Sequence, residues 1–193
     1  MPSPHQRTIA PTSAPTILIL PGLFDSDDDH WQSLWDTSLP HARRVEQRDW
    51  MEPRCADWLA ALDAAIQQAS AEGGVVLAAH SLGCALALHW ASRHPAAAAA
   101  IKGALLVAPP DVERADFPDF VHGFAPMPRA KLPFRTIVVA SSDDPWCALA
   151  KTQAWAADWG AEFHDIGPYG HINAASGLGD WPQGKAWLAD LAG

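Results

Sequence analysis

Val75-Val76-Leu77-Ala78-Ala79-His80-Ser81-Leu82-Gly83-Cys84-Ala85 is the stretch that decides the fold. Its first five residues are apolar without alternation and follow Gly73-Gly74, the pattern of a strand covered on both faces. Residues 82–93 then read as a helix that ends before Pro95. Between strand and helix, Ala79-His80-Ser81-Leu82-Gly83 matches the Gly-x-Ser-x-Gly nucleophile elbow, with Ala79 in place of the first glycine. Such a turn needs small flanking residues, and alanine is the next smallest. A serine at that point presents its hydroxyl above the sheet, whereas its bland role would be to cap the helix.

Working outward, the same alternation repeats. Thr16 to Leu20 is a buried strand ended by Pro21-Gly22, and Ser26 followed by Asp27, Asp28 and Asp29 predicts an N-cap and acidic first turn for a helix through Trp31, Leu34 and Trp35. Residues 42–49 carry several charges and read as an edge strand. Helices are expected at 54–70, 147–159 and 181–191, and further strands at 101–108, 135–140 and 161–166; the alanine run 96–100 reads as a surface turn or helix end. The result is an α/β protein, a doubly wound sheet of about six parallel strands with helices on both faces and right-handed crossovers. Residues 1–14 read as a flexible leader, 15–193 as a single domain, and 109–133, rich in proline and without periodicity, as an irregular lid.

Composition narrows the function. A length of 193 residues with 49% apolar and 18% charged side chains suits one globular core. The net charge of −9 opposes nucleic acid and anionic membrane surfaces. Cys55, Cys84 and Cys147 are odd in number and widely spaced, so they read as packing groups in a reducing compartment, and no apolar leader or spanning segment is visible; a cytoplasmic chain is expected. Ten tryptophans suggest that several line a cleft or the rim of the core. There is no dinucleotide fingerprint, P-loop or His-Glu-x-x-His stretch, and Asp27, Asp28, Asp29 and His30 are consecutive residues that do not converge on one ion, so no cofactor and no metal is expected.

A serine hydroxyl needs a histidine base oriented by a carboxylate. In this fold both follow the nucleophile in the chain, and ligands bind beyond the carboxyl ends of the strands. After the fifth strand comes Ser141-Ser142-Asp143-Asp144-Pro145-Trp146, and after the sixth Gly167-Pro168-Tyr169-Gly170-His171. His171 is therefore the expected base; His164 is its rival but falls within a strand, His80 points into the sheet, and His122 is a candidate substrate contact in the lid. Asp143 and Asp144 are neighbours in an extended turn, so only one faces the histidine. The oxyanion hole is expected from the backbone N–H groups of Leu23 and Leu82. Phe117, Phe120 and Phe124, with Trp146, are expected to roof an apolar acyl pocket, the alternative being that the rings anchor the loop to the core.

Together, Pro21-Gly22, the elbow, Ser142-Asp143-Asp144-Pro145 and Gly170-His171 resemble the retinoblastoma-binding-protein-9-type serine hydrolases of the α/β-hydrolase superfamily. The run Gly170-His171-Ile172-Asn173-Ala174-Ala175-Ser176-Gly177-Leu178-Gly179-Asp180-Trp181-Pro182 is similar to their bacterial branch. The resemblance spans Thr16 to the C-terminus. It implies a minimal α/β-hydrolase without the two antiparallel strands that usually open the fold, and a triad whose acid stands beside proline, which selects Asp144 with Ser81 and His171. The expected activity is a serine hydrolase acting on a carboxylic ester or similar small acyl substrate through an acyl-enzyme. The alternatives are a thioesterase or amidase with the same triad, or a module that binds a protein partner on a hydrolase scaffold.

Overall fold

A computed structural model describes residues 14–193. The leader expected at 1–14 lies, except for its last residue, outside the described residues. Six strands form one sheet in the order β2-β1-β3-β4-β5-β6: β1 Thr16–Leu20, β2 Ala42–Arg44, β3 Val75–His80, β4 Ile101–Val107, β5 Arg135–Ala140 and β6 Glu162–Asp165. Every pairing is parallel. The helices are α1 Trp31–Ser38, α2 Cys55–Ser70, α3 Leu82–Arg93, α4 Pro95–Ala98, α5 Leu149–Trp159 and α6 Pro182–Ala192.

Successive strand residues point to opposite faces, and both faces are covered. Leu18, Leu20, Leu77, Ala79 and Leu106 pack with side chains of α2, α3 and α5, among them Leu62, Leu86 and Trp155. Ile19, Val76, Ala78 and Leu105 pack on the other side with Trp31 and Trp35 of α1 and Leu188 and Leu191 of α6. This two-sided burial is the physical reason that the central strands show no polar alternation.

Three local expectations change. The edge strand β2 stops at Arg44 instead of Asp49, because its register partner Ile19 lies one residue before the end of β1 and nothing remains to pair with residues 46–49. Its Arg44 instead binds Asp25 at 2.5 Å across the sheet end. Helix α1 begins at Trp31, not after Ser26; its cap is His30, whose Nδ1 accepts from the Gln32 N–H at 3.1 Å, and Asp27, Asp28 and Asp29 lie in the preceding turn. The tryptophans are mostly core: Trp31, Trp35, Trp58, Trp90, Trp155 and Trp159 are fully buried. Two of their indoles reach across the chain, Trp31 Nε1–H to the Ile172 carbonyl at 3.0 Å and Trp35 Nε1–H to the Asp180 carbonyl at 2.9 Å.

The β3–α3 turn is a strained point of the fold. Ser81 has φ 51° and ψ −124°, a conformation that non-glycine residues rarely adopt and that persists only where packing enforces it. Gly83 and Gly22 supply that packing. A Cβ on Gly83 would come within 2.2 Å of the Leu20 carbonyl oxygen, and one on Gly22 within 2.8 Å of Ser81 Cβ. Ala79, by contrast, is an ordinary strand residue paired with Leu20 and Leu106, which is why alanine is tolerated there.

Candidate active site

Three loops at the carboxyl edge of the sheet bring Ser81, Asp144 and His171 together. Ser81 Oγ lies 2.7 Å from His171 Nε2. On the far side of the ring, Nδ1 lies 2.9 and 3.0 Å from the two carboxylate oxygens of Asp144. A carboxylate only accepts, so Nδ1 carries the proton and Nε2 is left bare to accept from the serine hydroxyl. The Asp144 and His171 side chains are 4% and 11% exposed, which strengthens the pair by excluding water. The Trp146 N–H also donates to Asp144, at 2.8 Å, holding its rotamer.

Asp143 turns the other way. It accepts from the Ser141 hydroxyl and from the Gly170 N–H, each at 2.7 Å. These bonds, the Ser141 one first, keep its carboxyl below the usual carboxylate range. His80 does not point away into the sheet as expected: it lines the site with His30 and reaches the His171 carbonyl at 2.8 Å. Three further histidines lie elsewhere. His164 stacks on Trp187 with ring centres 4.6 Å apart. His89 donates to the Phe124 carbonyl at 2.7 Å. His122 is exposed, and its backbone bonds to Pro53 and Cys55 tie the segment 109–133 to the start of α2.

Residues 17–190 match the model of the serine hydrolase family, described as "Serine hydrolase". The chain belongs to that family. It is 34% identical to a YdeN-like hydrolase from Pectobacterium atrosepticum, with 92% of this chain and 90% of that chain covered and a TM-score of 0.79. A thermophilic esterase from Thermogutta terrifontis shares the fold at 15% identity, with 94% and 92% coverage and a TM-score of 0.65. BorB, the type II thioesterase from the borrelidin biosynthetic cluster, does so at 17% identity, with 95% and 94% coverage and a TM-score of 0.63. No curated protein matches the chain.

In this serine hydrolase, Ser81 and His171 lie between two adjoining cavities. One, of about 200 Å³, is walled mainly by apolar groups: Leu23, Leu82, Phe117, Pro118 and Trp146. The other, of about 370 Å³, is lined by Asp25, Asp27, His30, His80 and Asn173 as well as Gly22. Leu23 and Leu82 thus stand beside Ser81, and neither N–H meets a backbone acceptor among the described residues. Phe117 faces Trp146 edge-on with ring centres 6.2 Å apart. Phe120 lines neither cavity; it packs behind Phe24, which does, with ring centres 6.1 Å apart. Phe124 is not at the site: it is fully buried against Trp58, a core anchor as the alternative reading had it. All three cysteines are unpaired and buried, and burial pushes each thiol up, consistent with packing groups.

Two supporting side chains had no signal in the sequence beyond following the first strand. Gln32 is fully buried and its amide donates to the Leu20 and Ala78 carbonyls, both at 3.0 Å, tying the ends of β1 and β3 beneath the site. His30 is buried with its Nδ1 used as the α1 cap, and its Nε2 has no partner among the described residues. Burial first, then the positive charge of Arg44 and the proximity of His171, lowers its pKa to about 4. The unfolded imidazole takes up its proton near the reference value of about 6.5, so on acidification the unfolded state binds a proton before the folded one does. Stability therefore falls as the pH drops from about 6.5 to about 4, by about 2 kcal/mol at pH 5 from this group alone. His30→Asn keeps an oxygen to cap α1 and removes the titration. Its melting temperature should depend less on pH across this window than that of the wild type; equal dependence would locate the acid sensitivity elsewhere.

Proposed function

We propose that this serine hydrolase cleaves small carboxylic esters through an acyl-enzyme on Ser81, with His171 as base and Asp144 as its orienting acid, and that it stands with the bacterial retinoblastoma-binding-protein-9-type enzymes. The observation that carries the reading is the unbroken chain from Ser81 Oγ through both ring nitrogens of His171 to the buried Asp144 carboxylate. Ser81 gives its proton to His171 Nε2 as Oγ attacks the ester carbonyl. The N–H groups of Leu23 and Leu82 bind the developing oxyanion, each typically worth about 2.7–4 kcal/mol in such a site. The imidazolium, held by Asp144, protonates the departing alcohol, and water then releases the acid by the same route in reverse.

The apolar cavity suits the acyl chain and the polar one the remainder of the ester. Its volume favours short acyl groups, and the segment around Phe117 and Phe120 is the part of 109–133 that sets the limit; the rest is fastened to the core through Phe124 and Met127. A cytoplasmic setting accords with three buried free thiols, and among the described residues no helix is long and apolar enough to cross a membrane.

A fluorophosphonate probe tests the reading, because only an activated serine reacts fast. Labelling should map to Ser81 by peptide mass spectrometry, and nitrophenyl acetate should be turned over faster than matched thioester and amide substrates. A chain that neither labels nor hydrolyses any of the three is no hydrolase of this type. In a nitrophenyl ester series, Phe117→Ala should move the optimum toward longer chains. Phe124→Ala should leave the optimum in place and cost about 3–5 kcal/mol of stability as a core truncation. If Phe117→Ala shifts only the melting temperature, that ring is an anchor too.

A further inference from the structure

The base is gripped by its backbone as well as by its ring. His171 sits in the loop after β6, flanked by Gly170, which has φ +56°, and Ile172, which has φ +50°. No regular element fixes this peptide. Besides the turn bond from the Ile172 N–H to the Tyr169 carbonyl at 3.2 Å and the Trp31 indole on the Ile172 carbonyl, two side chains from other strand ends hold it. The Gly170 N–H donates to Asp143, which follows β5, at 2.7 Å. The carbonyl of His171 itself accepts from His80 Nε2, at the end of β3, at 2.8 Å. His80 is the residue immediately before the nucleophile, so one backbone segment carries both the serine and the donor that holds the base.

Building on the triad reading above, we propose that His80 is a positioning residue: its Nε2–H fixes the His171 carbonyl and thereby sets the distance from the base to Ser81, with Asp143 holding the preceding N–H. The acceptor is a carbonyl, so the neutral ring must carry its proton on Nε2, and the tautomer is fixed by the contact. The surroundings keep it neutral. His80 is buried, with the His30 ring centre 4.7 Å away, the His171 ring 5.0 Å away and Trp31 on a third side at 6.1 Å. Burial, and then the proximity of His30 and His171, hold its pKa well below the ordinary histidine value. A cation at His80 would oppose the imidazolium that His171 becomes during acylation; a neutral donor does not.

The contact is intramolecular and remote from the bonds that change, so its loss should appear as misplacement of the base. A displacement of about 1 Å in a reacting group costs on the order of a hundredfold in rate. The experiment compares His80→Gln, His80→Leu and His80→Asn with the wild type and with Ser81→Ala, each by nitrophenyl ester kinetics and thermal melting. Glutamine places an amide N–H near the position of Nε2, leucine fills the space without a donor, and asparagine has a donor that falls short. The expected result is a kcat loss of about 30- to 100-fold in His80→Leu with KM within about twofold, and recovery of at least tenfold of that loss in His80→Gln. Should His80→Leu fail to fold, His80→Gln must still exceed His80→Asn in kcat. Equal kcat in the Gln variant and in whichever of Leu or Asn folds, a loss that falls on KM instead, or wild-type turnover in His80→Leu overturns the proposal. Turnover in Ser81→Ala equal to that of the wild type would instead overturn the triad reading on which it rests.

Discussion

Ser81→Ala is expected to lower kcat for a nitrophenyl ester by about 10⁵- to 10⁶-fold and to abolish fluorophosphonate labelling, the scale seen when the nucleophile of such a unit is deleted. The loss is so large because the remaining groups have nothing to activate: His171 Nε2 faces the serine oxygen at 2.7 Å, and the alanine methyl cannot attack. Folding should be untouched. The backbone strain at φ 51° is held by the close approach of Gly22 and by the packing of Gly83 against Leu20, neither of which involves the hydroxyl. A variant that retains a normal melting curve and normal turnover would remove Ser81 from the chemistry altogether.

The second large effect separates two adjacent carboxylates. Asp144→Asn should reduce kcat by about 10⁴-fold, because the amide nitrogen that it brings near Nδ1 favours the tautomer with the proton on Nε2, and that tautomer cannot accept from serine. Asp143→Asn should cost no more than about tenfold, since its amide oxygen still accepts from the Gly170 N–H and its carboxylate is solvent-exposed. Steady-state kinetics on the two variants at matched folded fraction decide the matter. The reverse ranking would move the acid by one residue and leave the rest of the mechanism standing.

The central strands and the elbow could be read from sequence because both faces of the sheet are buried and the turn demands small residues; apolar runs such as 75–79 and the pair Gly22 and Gly83 follow from those two requirements alone. Asp143 and Asp144 could not be separated by spacing, since alternation says only that they face opposite ways, and it was the neighbouring proline of a family resemblance that pointed to Asp144. The cap of α1 was misplaced because Ser26 and three aspartates form a better local N-terminus than His30 does; tertiary contact won, with the Ser26 hydroxyl donating to Gln32 Oε1 at 2.8 Å. His30, Gln32 and His80 were invisible as supports for the same reason. Gln32 and His80 bind carbonyls up to 91 positions away, and His30 bonds only its own cap position, so none of them leaves a periodic trace.

The indole bonds from α1 to the Ile172 and Asp180 carbonyls span 141 and 145 residues of chain. A nascent polypeptide emerging from the ribosome therefore displays Ser81 and both candidate acids before His171, and the indole bonds that fasten the segment after His171 close only when the last fifth of the chain docks on the first. Contacts of such sequence separation are slow to form. Recovery of hydrolase activity on refolding should accordingly trail the appearance of helical circular dichroism, making turnover a clock for the final docking step rather than for collapse of the sheet.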